Sequence, residues 1–290
     1  MPAEPAQTNT SRQDAGPAAG ALLPLSSRLP PAAAREPLPL LQASAAALGL
    51  PLTDGQLQAF ARYQDALIAA NRQVNLTAIA DPEDVEIKHF VDSLTGLLAW
   101  SSGSSRPLRV IDVGTGAGFP GLPLKLACPD LTLSLVESVG KKMAFVAQIV
   151  ALLGLTGVEL HTARAEELGQ QPGHREQYDV ALTRAVGRLP VLLEYALPLL
   201  RPGGRLIAYK TRSAAVAEVQ QSEAARAKLG GGPPSIVPVQ LRAGDVPSQA
   251  ASVATVQQAL ARRVLVVVPK QHPTPPTFPR RSGIPAKRPL

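Results

Sequence analysis

Three glycines follow an apolar run near the centre of the chain. The run is residues 110–113, and Gly114, Gly116 and Gly118 come directly after it. A strand that opens into glycines lets a ligand lie against the backbone, because a Cβ there would collide with that ligand. The spacing therefore predicts a cofactor-binding loop at the carboxyl end of a strand.

The glycine loop alone fits two kinds of cofactor. Gly116, Gly118 and Gly121 match the G-x-G-x-x-G pattern of dinucleotide-binding proteins. In that pattern the first glycine closes the strand, and here Gly114 takes that place. Asp112, inside the end of the strand, suits a cationic ligand such as a sulfonium amino acid better than a pyrophosphate. We favour S-adenosylmethionine and keep a nicotinamide or flavin dinucleotide as the alternative.

Polar residues also follow the next apolar runs. Glu137 closes the run 131–136, where a carboxylate can accept both ribose hydroxyl protons. Residues 164–167 follow a third run and can meet an adenine edge, and Arg184 in 183–185 ends a fourth run that faces the methyl donor. The alternatives are a helix N-terminal acid for Glu137, a solvated turn for 164–167 and a structural ion pair for Arg184.

Apolar runs and helical stretches alternate through the second half of the chain, which is typical of βαβ units with a parallel sheet. We predict an α/β fold with a doubly wound, seven-stranded, Rossmann-like sheet and a small N-terminal helical subdomain. Residues 242–260 are too long for a hairpin loop and receive no assignment. The predicted strands are 108–113, 131–136, 158–160, 178–183, 205–209, and a closing hairpin of 235–241 with 263–268. The predicted helices include 119–127, 140–153, 189–200 and 213–229.

The net charge of +7 is concentrated at the C-terminal end of the chain. Asp245 is the last acidic residue, so every charged side chain beyond it is basic. A segment of this kind can neutralise nucleic-acid phosphates, and its alternative role is that of a solubilising tail. The bases concerned are Arg262, Arg263, Lys270, Arg280, Arg281, Lys287 and Arg288.

Cysteine usage and hydropathy narrow the class of protein. Cys128 is the single cysteine, which excludes an internal disulfide framework and fits a reducing compartment. No window approaches the ~20 uncharged apolar residues of a membrane span. We therefore expect a cytoplasmic protein with no membrane partner and no metal, acting as a monomer.

The chain resembles the RsmG or GidB family, whose members methylate guanine N7 in small-subunit ribosomal RNA. The resemblance runs from about Leu40 to Leu290. Residues 1–39 have no counterpart, and the insertion around 244–260 is unusual for the family. The motifs that carry it are Asn75-Leu76-Thr77, His89-Phe90-Val91-Asp92-Ser93, residues 112–121, Gly140-Lys141-Lys142, Arg164-Ala165-Glu166, Arg184-Ala185, Tyr209-Lys210, Pro273-Thr274-Pro275, Phe278-Pro279-Arg280 and residues 285–290.

The resemblance implies the reaction and the site. The methyl acceptor is a guanine N7 in the 530-loop region of 16S rRNA, as free RNA, as a small ribosomal subunit or as an assembly intermediate. Arg184 and Lys210 are the positioning candidates. RNA contacts are expected from Arg280, Arg281, Lys287 and Arg288. S-adenosylmethionine contacts are expected from Gly114, Phe119, Glu137, Ser138, Ala165, Glu166 and Arg184.

Two other function classes stay open. A dinucleotide-dependent oxidoreductase requires a hydride-transfer residue set, and a non-catalytic RNA-binding module requires no methyl donor. His89 is expected to be a packed or capping histidine, because a guanine N7 lone pair needs no general base.

The predicted domains are a disordered extension 1–39, a helical subdomain 40–105, a methyltransferase domain 106–270 and a basic, Pro-rich tail 271–290.

Overall fold

The computed structural model describes residues 38–100, 108–241 and 247–290. The predicted disordered extension falls outside these ranges except for its last two residues: Leu38 is buried, and Pro39 begins the first helix. The predicted boundary at 105/106 also lies outside the described residues. The strands are β1 Arg109–Val113, β2 Thr132–Val136, β3 Val158–His161, β4 Tyr178–Arg184, β5 Leu200–Thr211, β6 Ser235–Pro238 and β7 Arg263–Pro269.

One sheet holds these strands in the order β3-β2-β1-β4-β5-β7-β6. Strands β1 to β5 are parallel, and β7 runs antiparallel between β5 and β6. The predicted seven-stranded α/β sheet is thereby confirmed. Since β1 lies between β2 and β4, the chain reverses its winding direction there, and the crevice at the carboxyl ends of β1 and β4 is the ligand-binding position of such sheets.

The helices are α1 Pro39–Ala47, α2 Asp54–Asn71, α3 Pro82–Val85, α4 Asp92–Leu94, α5 Gly121–Ala127, α6 Gly140–Leu152, α7 Ala165–Leu168, α8 Leu189–Ala196, α9 Arg212–Gln221, α10 Glu223–Leu229, α11 Pro247–Ala259 and α12 Ile284–Lys287. A π-helical turn, Glu86–Val91, joins α3 to α4, and a 3₁₀ turn, Thr95–Ala99, follows α4. Thr53, not Asp54, caps α2 through a capping box, and Asp81 caps α3.

Several segments differ from the sequence prediction. The predicted helix 189–200 ends at Ala196, β5 begins at Leu200 and not at 205, and β6 ends at Pro238 and not at 241. The predicted single helix 213–229 is divided into α9 and α10 at Ser222, whose hydroxyl donates to the Val219 carbonyl. A serine that bonds the preceding backbone in this way competes with helix continuation. The unassigned segment contributes α11, which packs against α1 and buries Val253 and Val256 in the core.

The core has two parts, one on each face of the sheet. The N-terminal helices share the first part with the sheet: Phe60 and Phe90 pack edge to face, with ring centroids 5.1 Å apart. The segment predicted as a tail, 271–290, packs on α7 and α8, with Thr274 and Pro279 buried. Among the described helices, none has the length and apolar content needed to span a bilayer.

Candidate active site

A cleft of about 800 Å³ opens at the carboxyl edge of the sheet. A cleft of this size falls in the range of small-molecule and cofactor sites. The glycine loop after β1, the ends of β2, β4 and β5, and the π-helical turn form its walls. Every predicted cofactor contact and both positioning candidates line it: Gly114, Phe119, Glu137, Ser138, Ala165, Glu166, Arg184 and Lys210.

The glycine loop adopts backbone angles that require glycine. Gly114, Gly116 and Gly118 have φ values of 73°, 62° and 100°, in the left-handed region that other residues rarely adopt. A Cβ on Gly116 would meet no protein atom within 4 Å, so this position leaves open space in the cleft. A Cβ on Gly114 would instead lie 2.5 Å from Val186. Gly114 is therefore required by protein packing as well as by any ligand.

Asp112 stabilises this loop by accepting two hydrogen bonds. Its Oδ2 accepts hydrogen bonds from Thr115 Oγ1 at 2.7 Å and from Gly121 N at 2.8 Å. Burial raises the pKa of Asp112 to about 6, although these two bonds and Arg184 lower it. The side chain is fully buried and does not line the cleft. Asp112 therefore fixes the turn, and the sequence interpretation that its charge suits a cationic ligand stays a prediction.

Two carboxylates stand at the β2 and β3 side of the cleft. Glu137 accepts from Gly116 N at 3.1 Å and from Val139 N at 2.8 Å, which fixes its orientation beside the glycine loop. Each carboxylate oxygen has two acceptor positions, so both oxygens of Glu137 retain capacity for ribose hydroxyls. Glu166 is buried, and its Oε1 accepts from Gly283 N at 2.8 Å. The C-terminal segment thus holds one wall of the cleft.

Arg184 joins β4 to the π-helical turn. Its Nη1 donates to Asp92 Oδ2 at 3.0 Å, and its Nη2 lies 3.2 Å from His89 Nδ1. The guanidinium also lies over the ring of Phe119, 5.2 Å from its centroid. The ion pair that sequence reasoning kept as an alternative is present, and Arg184 lines the cleft as well.

His89 is packed between these groups. Its ring stacks on Phe119 with centroids 4.3 Å apart, and its Nε2 lies 2.9 Å from Thr77 Oγ1. Burial, assisted by the positive charge of Arg184, lowers the pKa of His89 to about 3. A neutral ring that accepts from Arg184 at Nδ1 carries its proton on Nε2 and donates to Thr77. The structure therefore agrees with a packed, non-titrating histidine.

The arrangement fits an adenosine cofactor with an amino-acid end. It provides open space at Gly116, an oriented carboxylate at Glu137 and a cation at Arg184 along one cleft. Comparison with known proteins then identifies the family. A family model described as "GidB: rRNA small subunit methyltransferase G" matches residues 56–242. The chain belongs to this family.

Curated relatives agree with the family model. "Ribosomal RNA small subunit methyltransferase G" of Roseiflexus castenholzii is 48% identical over 83% of this chain and 95% of its own length. The protein of the same description in Leuconostoc mesenteroides is 41% identical over 83% of this chain and 94% of its own length. Among solved structures, a T. thermophilus 16S rRNA N2 G1207 methyltransferase in complex with AdoMet and guanosine is similar with a TM-score of 0.39, 17% identity, and coverage of 63% of this chain and 39% of that one.

Family membership decides between the two cofactor classes left open above. This GidB protein is a methyltransferase, and the dinucleotide oxidoreductase alternative is excluded. The seven-stranded topology agrees, because the dinucleotide fold has strand order 3-2-1-4-5-6 without the antiparallel β7.

Sequence reasoning missed the role of two residues that meet in the cleft. Asp92 is fully buried and pairs with Arg184 and, through Oδ1, with Arg263 Nε at 2.6 Å. Arg263 lines the cleft, as Asp92 does. The only sequence signal was Asp92 within the motif His89–Ser93, which the resemblance contained without assigning it a role. One buried carboxylate thus fixes two arginines that come from different strands.

The predicted RNA-binding residues occupy two kinds of environment. Arg281, Lys287 and Arg288 are exposed. Arg280 is largely enclosed, and its guanidinium donates to both oxygens of Glu194, with Nη2 to Oε2 at 2.6 Å. The guanidinium of Arg280 is therefore already occupied by a protein carboxylate.

Proposed function

We propose that this GidB protein transfers a methyl group from S-adenosylmethionine to N7 of a guanine in the 530-loop region of 16S rRNA. The observation that carries the proposal is the convergence of eight residues, chosen from sequence alone, on one cleft at the carboxyl edge of the sheet. The sheet-edge position is the one at which such folds bind their ligands.

The cofactor would extend along the cleft from β3 towards β4. Ala165 and Glu166 would meet adenine, Glu137 would accept the ribose hydroxyls, and the loop at Gly114 with Arg184 would hold the amino-acid end. Bound S-adenosylmethionine supplies a methyl group already activated by a sulfonium. The chain's residues then need only orient it and exclude water.

The acceptor chemistry agrees with the charges in the cleft. Guanine N7 carries a free lone pair at neutral pH, so no proton must be removed before attack. His89 is neutral and committed to Thr77 and Arg184. Lys210 donates to the Gly187 carbonyl at 2.5 Å and pairs with Glu218 at 2.7 Å. Arg184 and Lys210 would position guanine O6, and alignment of this kind contributes up to ~7 to 11 kcal/mol to catalysis.

The proposal also includes the RNA contacts, the cellular location, the oligomeric state and the form of the substrate. We propose that Arg281, Lys287 and Arg288 assist RNA binding and that the enzyme is a cytoplasmic monomer. Its substrate is 16S rRNA, as free RNA, within a small subunit or within an assembly intermediate. The exposure of these three side chains supports the first of these statements.

Transfer of tritium from labelled S-adenosylmethionine tests the reaction. Free 16S rRNA and isolated small subunits would be compared as substrates, and the labelled base would be mapped. We expect a single modified guanine that becomes sensitive to N7-directed cleavage. RNA binding without methyl transfer would instead favour the non-catalytic RNA-binding module, and label on another base would refute the N7 assignment.

A further inference from the structure

Two exposed arginines lie side by side at the β5 and β7 end of the sheet. Arg212 follows the last residue of β5, and Arg262 precedes the first residue of β7. The strands pair up to Thr211 and Arg263, and beyond that pair Arg212 N donates to the Arg262 carbonyl at 2.8 Å. Both side chains are exposed. The strand ends therefore present two guanidinium groups on one edge.

This edge adjoins the cleft. Thr211 and Arg263, the neighbours of the two arginines, both line it. The other cations here have carboxylate partners, because Lys210 pairs with Glu218 and Arg263 with Asp92, which Arg184 shares. Within the described ranges, by contrast, neither Arg212 nor Arg262 has an ion-pair partner. Two positive charges thus stand uncompensated at the cleft rim.

The position of the pair indicates its partner. In the proposed function the cofactor's adenosine lies near β3 and β2, so the acceptor nucleotide enters from the β4 and β5 side. Arg212 and Arg262 stand at that entrance. Arginine forms planar, two-point hydrogen bonds with phosphate oxygens. We infer that Arg212 and Arg262 bind backbone phosphates of the RNA strand beside the target guanine, an inference that rests on the proposed function.

This surface is distinct from the C-terminal one. Glu166, which contacts Gly283, follows β3, whereas Arg212 follows β5, four strand positions away in the sheet order. At a spacing of about 4.8 Å per strand, the backbone at Glu166 and the backbone at Arg212 are on the order of 20 Å apart. An RNA that contacts only one of them can therefore be identified by mutation.

A pair of charge-matched double variants tests the inference. Arg212→Gln with Arg262→Gln removes two rim charges, and Arg281→Gln with Arg288→Gln removes two charges from the C-terminal segment. Affinity for a 16S rRNA fragment containing the 530 loop is measured at several salt concentrations without methyl donor. Loss of two single-strand phosphate contacts lowers the slope of log affinity against log salt by about 1.4 and the affinity at 0.15 M salt by roughly 10- to 15-fold.

We expect this loss in the rim variant and a smaller one in the C-terminal variant. An unchanged slope in the rim variant overturns the inference, whatever the C-terminal variant shows. Thermal unfolding and S-adenosylmethionine affinity should stay unchanged in both, because all four side chains are exposed. Failure of the proposed function would look different: the wild type would bind the RNA normally and transfer no methyl group.

Discussion

Replacement of Arg280 by Met should destabilise the fold, although sequence reasoning placed this residue in an RNA-binding tail. The Arg280 side chain is 25% exposed and Glu194 is 1% exposed. Glu194 Oε1 accepts from both Arg280 N and Arg280 Nε at 2.8 Å, and Oε2 accepts from Nη2 at 2.6 Å. The hydrogen bonds to Glu194 raise the pKa of Arg280, and burial lowers it by less.

The expected loss in the free energy of unfolding follows from the Glu194 charge that the substitution leaves without a partner. Removal of one member of a buried ion pair costs about 3–5 kcal/mol, because the remaining charge is uncompensated. Arg280 is partly solvated and its backbone N–H still donates to Glu194, so we expect a loss of about 2–4 kcal/mol. Addition of Glu194→Gln to Arg280→Met should recover part of this loss, because Gln keeps an acceptor for that N–H without a buried charge.

Urea denaturation measures the loss as a shift of the midpoint at constant slope. Arg281→Met is the matched control, since Arg281 is exposed in the same segment, and it should change the free energy of unfolding by less than about 0.5 kcal/mol. Equal midpoints for the two variants, combined with weaker RNA binding in Arg280→Met alone, would refute the packing of this segment. For the same reason, deletion of residues 271–290 should destabilise the protein and is a poor test of RNA binding.

Four further substitutions test the cleft and the glycine loop beside it. Arg184→Lys keeps the charge but cannot hold all of the arginine's partners, so single-turnover methylation should slow by on the order of 100-fold. The wild-type rate should stay flat from pH 6 to 9. A steep wild-type profile would indicate an essential base. Asp112→Asn should stabilise the protein above pH 6. The folded pKa of the buried wild-type carboxyl is about 6, so the wild-type protein loses stability as pH rises through that value. In urea denaturation the two proteins should converge near pH 4. Gly116→Ala should weaken S-adenosylmethionine binding, measured by calorimetry, more than it lowers the free energy of unfolding. Gly114→Ala should mainly lower the free energy of unfolding, because its Cβ meets Val186.

The sheet and the cofactor loop could be predicted because their signals are local. Apolar runs with turn residues between them locate strands, and glycines at residues 114–118 carry backbone angles that little else permits. Strand order near β1 follows from the right-handed crossovers of βαβ units. Helix caps such as Thr53 and Asp81 are equally local, since each bonds a backbone N–H three residues ahead.

Contacts between distant segments could not be predicted in this way. Asp92 meets Arg184 and Arg263, which lie 92 and 171 positions further along the chain. Nothing in the spacing of these residues indicates that they pair. The C-terminal segment is a similar case, because a basic, proline-rich composition is common to solvated tails and to segments anchored by arginine. Contacts with distant residues, such as that of Arg280 with Glu194 and that of Gly283 with Glu166, distinguish the two.

The N-terminal helices and the sheet form one catalytic unit, whatever the boundary between them in the sequence. Tyr63 of α2 donates to the Ala117 carbonyl of the glycine loop at 2.5 Å, and its ring stacks on Phe119 with centroids 5.3 Å apart. The π-helical turn contributes His89, and α4 contributes Asp92, and both residues line the cleft. The helices thus support the glycine loop and also supply groups that orient Arg184. In the proposed function, substrate positioning therefore depends on packing between two segments that sequence analysis treats as separate domains.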